Sequence, residues 1–105
     1  MGRRSDNFIT RDGRLVHGEY VTHLLYGTRV IEQFQVIQKT FDRFVVRYVA
    51  KDSSAALAEL HTLRDTLSSH FGYPLETEFE QVTDLPKSAN GKYRFTISEL
   101  PGAAH

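Results

Sequence analysis

The sequence predicts an α+β domain, a two-layer sandwich in which an antiparallel sheet carries two helices, preceded by a small N-terminal β-hairpin. Three observations predict it. Leucines between residues 57 and 71 recur at helical spacing. Segments 33–39, 44–50 and 75–82 alternate apolar with polar residues or are rich in β-branched and aromatic ones. Their order is helix, strand, strand, helix, strand.

The elements follow in chain order. Phe8-Ile9-Thr10 and Arg14-Leu15-Val16 flank Asp12-Gly13, and Asp-Gly supplies the positive φ that a tight hairpin turn needs. From residue 18 to 26, Val21, Leu24 and Leu25 recur at helical spacing, with Gly27 as a stop. Residues 33–39 place Phe34 and Val36 opposite Gln33 and Gln35, and Val45, Val46, Tyr48 and Val49 mark a richer strand after the turn at residues 40–43. Asp52 or Ser53 caps the long helix by accepting hydrogen bonds from its orphan N–H groups. Leu57, Leu60, Leu63, Leu67 and Phe71 form its apolar stripe, and Gly72 with Pro74 ends it. Leu75 and Phe79 then face one way, with Glu76, Glu78 and Glu80 on a wet face. This order describes most of a ferredoxin-like sandwich.

Composition narrows the function classes. The 105 residues make one domain and leave no room for a second core. Thirteen basic and thirteen acidic residues cancel, so no global field draws the molecule to nucleic acid or an anionic membrane. Without cysteine there is no disulfide or thiolate metal site. No apolar run approaches the ~20 residues of a spanning helix, and no N-terminal apolar signal is present. The expected location is the cytoplasm, with neither nucleic acid nor membrane as partner.

Chemistry-bearing residues gather at the two ends. Pro86-Lys87-Ser88-Ala89-Asn90-Gly91-Lys92-Tyr93-Arg94 carries turn-forming residues around a glycine-lysine pair, and such a loop presents Lys92 to an anion. At the other end, Arg3, Arg4, Ser5 and Asp6 combine cations, a hydroxyl and a carboxylate, a set that suits a hinge as well as a solvated terminus.

Together, Gly2-Arg3-x-Ser5-Asp6, Asp12-Gly13-Arg14 and Leu85-Pro86-Lys87-Ser88-x-x-Gly91-Lys92-x-Arg94 resemble the C-terminal lid domain of adenylate-forming enzymes. Within that superfamily the pattern is most similar to the phenylacetate–CoA ligase and CapK-like branch, to which Gln33-Phe34-Gln35-Val36 and Thr96-Ile97-Ser98 add. The resemblance implies a hinge at residues 1–7 and one lid domain over 8–105. Lys92 matches the lysine that enters the active site during adenylation, with Gly91 and Arg94 supporting its loop. Arg3, Arg4, Ser5 and Asp6 match the hinge, where counting sets Ser5 at a position that is Asp in many relatives, with Asp6 beside it. Asp12, Gly13 and Arg14 match the turn that faces the active site in the thioester-forming half-reaction.

The activity that the resemblance implies is ligation of a carboxylic acid, through acyl-AMP, with coenzyme A as the expected acceptor. ATP with Mg²⁺ and coenzyme A would be held mainly by a large N-terminal adenylation domain, whose phosphate-loop sequence is not in this chain. The chain alone is therefore expected to be inactive. It is either an excised fragment beginning at the hinge or a free-standing relative acting in trans, and a start so near the hinge motif favours the fragment.

Other features have plainer readings. His17, His23, His61, His70 and His105 lack metal-ligand spacing and read as surface residues, so no metal site is expected. The glutamates of 76–80 read as a solvated face. Residues 43–48 are faintly similar to the aromatic strand of RNA-binding modules but lack its glycine, so Phe44 reads as core. The alternative function is a free-standing ferredoxin-like binding module, small-molecule regulatory or RNA-binding.

Overall fold

A computed structural model describes residues 6–26, 30–85 and 96–100. The elements are β1 (Phe8–Ile9), β2 (Leu15–Val16), α1 (Gly18–Tyr26), β3 (Gln33–Gln38), β4 (Arg43–Val49), α2 (Ser53–Phe71), β5 (Glu76–Gln81) and β6 (Thr96–Ser98). β1 and β2 form the expected antiparallel hairpin, and the other strands make one sheet in the order β5-β4-β3-β6. The expected α+β architecture is what folds.

The sheet is mixed rather than wholly antiparallel. β3 and β4 run antiparallel, as strands joined by a short turn do, whereas β4 pairs parallel with β5 and β3 parallel with β6. The 19-residue α2 lies between β4 and β5, and a crossover of that length returns the chain in the same direction. β6, which the sequence patterning left unassigned, fills the edge opposite β5.

α2 begins and ends as its sequence dictates. Asp52 holds extended backbone angles, and its carboxylate accepts a hydrogen bond from Ala55 N at 3.1 Å. Gly72, at φ 91°, closes the helix by donating from its N–H to Ser68 O at 2.9 Å. Leu60, Leu63, Leu67 and Phe71 are buried as the stripe requires, while Ala56 fills the first turn and Leu57 is only partly buried.

Residues paired across neighbouring strands share a face. Phe34, Val36 and Gln38 thus lie with Phe44, Val46 and Tyr48 of β4 and with Thr96 and Ser98 of β6, and all eight are buried. Val21 and Leu25 of α1 and the stripe of α2 join the apolar members of this face in one core, which Phe8 and Val16 extend into the hairpin. Gln35, expected on a polar face, is buried as well. Its strand is central, with β4 on one side and β6 on the other. Phe44, expected as core, is 1% exposed and meets Phe8 and Phe71 edge-on, with ring centres 5.1 and 5.5 Å away.

Candidate functional site

The hairpin turn is built by local hydrogen bonding. Thr10 N donates to Arg14 O at 2.9 Å and Gly13 N to Thr10 O at 3.0 Å, which closes a three-residue loop with Gly13 at φ 86°. Among the described residues only glycines have positive φ, so Asp12 keeps ordinary angles and Gly13 alone takes the left-handed position. A Cβ there would meet nothing within 4 Å, so the chain needs glycine at 13 for its backbone angle and not for space.

Side chains then stiffen the turn. The Thr10 hydroxyl donates to Asp12 and accepts from Arg14 N at 3.0 Å, while Arg14 Nε donates to Asp12 Oδ2 at 3.1 Å. Thr10, followed by the Arg14 guanidinium, holds the Asp12 carboxyl below the usual carboxylate range.

Three ties fasten the hairpin to the body. Arg14 Nη2 donates to Phe71 O at 3.0 Å, a cation set on the carbonyl end of α2. Arg11 pairs with Asp42 at 2.8 Å and lies over the Tyr73 ring, 4.3 Å from its centre, while the Tyr73 hydroxyl donates to Phe41 O at 2.7 Å. The third tie is Gln38, whose amide donates to Ile9 O at 2.8 Å and accepts from Ile9 N at 3.1 Å, as a neighbouring strand would.

Asp42 is also held below the usual carboxylate range, first by Arg11 and then by Thr40. Both Asp12 and Asp42 thus ionise more readily in the folded domain than in the unfolded chain. Their contribution to stability is complete above the ordinary carboxylate range and is lost as pH falls through the lowered folded values. Urea denaturation followed from pH 6 to pH ~3 should show stability falling at the acid end, and the fall should be shallower in Asp42→Asn.

At the entrance to the domain, Asp6 is 4% exposed. Its N–H donates to Thr96 O at 3.1 Å, its carbonyl accepts from Thr96 Oγ1 at 2.7 Å, and its carboxylate accepts from Ser98 N at 3.0 Å. Asp6 is thereby joined to β6.

Of the residues singled out from the sequence, Asp6, Asp12, Gly13 and Arg14 are placed here. Arg3, Arg4, Ser5, Gly91, Lys92 and Arg94 lie outside the described residues. His17, His23, His61 and His70 are exposed, and among the described residues no group of histidines and carboxylates is placed to hold a metal ion. No described helix is long and apolar enough to cross a membrane. Sequence patterning missed Arg11, Tyr73, Gln38 and Ser98. Gln38 had one signal, since a period of two sets it on the same face as Phe34 and Val36.

The family model of the CapK C-terminal domain matches residues 8–99. The chain belongs to this family. No curated protein matches this chain. Among solved structures, one from work on fatty acyl-adenylate ligases of E. coli and L. pneumophila matches with a TM-score of 0.61 at 16% identity. A domain of phenylacetate-coenzyme A ligase from Bacteroides vulgatus matches at 0.55 and 13% identity, and an open conformation of 2-hydroxyisobutyryl-CoA ligase, in complex with 2-HIB-AMP and CoA, at 0.54 and 16%. These matches cover 83%, 86% and 87% of the present chain. It spans 92% of the Bacteroides domain but only 16% and 21% of the other two ligase chains. At these identities the likeness is one of fold.

Proposed function

We propose that the chain is the C-terminal lid of an ATP-dependent adenylate-forming ligase and supplies Lys92 to its first half-reaction. In that step a carboxylate oxygen attacks the α-phosphorus of ATP, forming acyl-AMP and releasing pyrophosphate. In the second, a thiol, that of coenzyme A in this reading, attacks the acyl carbonyl and AMP leaves. Lys92 offsets charge between carboxylate and nucleotide, a preorganised contribution of the kind that lowers barriers most. The Asp12-Gly13-Arg14 turn serves the second step, its backbone open at Gly13.

The observation that carries this reading is the tie between the entering segment and β6. Asp6 is hydrogen-bonded to β6, the strand that follows residues 86–95 in the sequence. Membership of the CapK C-terminal domain family supports it. Arg11 and Arg14 are each paired with a carboxylate, which suits a lid that leaves the nucleotide to a large N-terminal domain. The chain would act in the cytoplasm, with that domain as its partner in cis or in trans.

The alternative of an RNA-reading sheet would use Phe44, which is buried between two rings. The test of the preferred reading is reconstitution. Joined to a large adenylation domain, the chain should support carboxylate-dependent exchange of pyrophosphate into ATP, and neither part alone should match it. Exchange that is no faster with the chain than without it contradicts the proposal.

A further inference from the structure

We infer that Asp6, Gln38 and Ser98 form a buried clasp that fixes the entering segment, the hairpin and β6 as one rigid body, making Asp6 a positioning residue that travels with the lid and not the pivot on which it turns. That the lid turns rests on the ligase reading above; the clasp itself does not.

The geometry closes around two acceptors. Gln38 Oε1 accepts from Ile9 N at 3.1 Å and from Ser98 Oγ at 3.2 Å, so one amide oxygen joins the hairpin to β6. The backbone of Gln38 continues the link, its carbonyl accepting from Glu99 N at 3.0 Å. Asp6 Oδ2 takes Ser98 N, a bond between residues 92 positions apart. Gln38, Asp6 and Ser98 are 0%, 4% and 9% exposed, so any member left unpaired stays out of reach of water.

A pivot must change its φ or ψ. The N–H of Asp6 is committed to Thr96 O and its carbonyl to Thr96 Oγ1, so turning about either bond of this residue breaks a hydrogen bond, and the carboxylate would be pulled from Ser98 as well. Asp6 therefore does not itself supply the rotation.

Hydrogen exchange at Ser98 N in the 105-residue chain tests the clasp. Losing a hydrogen bond to a charged acceptor should speed that exchange about tenfold to a hundredfold in Asp6→Ala. Asp6→Asn, whose amide oxygen can accept the same bond, should restore most of the protection. Gln38→Leu should speed exchange at Ile9 N in the same way. Unchanged Ser98 exchange in Asp6→Ala overturns the clasp whatever the enzyme does.

In the protein carrying the large domain, the clasp predicts that Asp6→Ala slows acyl-AMP formation and thioester formation by the same factor, about tenfold, and that Asp6→Asn recovers both. Slowing of one half-reaction alone, in both variants, would make Asp6 the pivot and overturn the inference. Should the Ser98 exchange shift as expected while the joined protein forms no acyl-AMP, the clasp stands and the ligase reading falls.

Discussion

Phe44→Ala should destabilise the domain by about 3–5 kcal/mol, read as a lower urea midpoint with an unchanged denaturant slope. Phe44 is 1% exposed and stands in β4 between Phe8 of the hairpin and Phe71 at the end of α2, meeting both edge-on. Its removal leaves a cavity where three elements meet and also forfeits two aromatic pairs, each worth about 0.5–1.5 kcal/mol beyond area burial. The loss is large beside the ~5–15 kcal/mol that holds a typical domain together. Phe41 is the control. It is 42% exposed, its carbonyl is what Tyr73 uses, and Phe41→Ala should cost within about 0.5 kcal/mol. A Phe44→Ala domain as stable as Phe41→Ala would mean that the hairpin is not packed on the sheet as described.

Local signals were readable wherever one residue's chemistry decides the conformation. Asp52 and Gly72 bound α2 because a carboxylate can cap orphan N–H groups and a glycine can take the left-handed position. The leucine stripe gave the buried face to within one residue, Ala56 taking the first turn that Leu57 was expected to fill. Strand direction was less legible. A period of two marks β5 as a strand but carries no sign of whether it runs with or against β4.

The clasp was illegible for a related reason. Gln38 and Ser98 look like ordinary polar strand residues, and their partners Ile9 and Asp6 are 29 and 92 positions away from them. Only the arrival of β6 on the edge of β3 brings the four together. For the candidate site, the hairpin turn and Asp6 were legible in the residue pattern, whereas Gln38, which binds the hairpin to the sheet, emerged from the packing.

The second large effect concerns chemistry. In the joined protein, Lys92→Ala should slow acyl-AMP formation by about a hundredfold to a thousandfold, the usual loss when one preorganised donor is taken from developing charge. Under the proposed reading stability should hardly change, because a lysine that acts only at the active site contributes little to the folded domain itself. The loss should be confined to one step. Under the proposed reading the thioester-forming half-reaction uses the Asp12-Gly13-Arg14 turn and has no need of Lys92, so transfer from acyl-AMP supplied ready-made should continue. A general weakening of the lid would slow both.

The most direct measurement is therefore a paired assay on wild type and Lys92→Ala in the joined protein, scoring carboxylate-dependent pyrophosphate exchange into ATP and acyl transfer from preformed acyl-AMP to coenzyme A. The account predicts exchange reduced at least about a hundredfold with transfer near the wild-type rate; exchange at the normal rate in Lys92→Ala would contradict it.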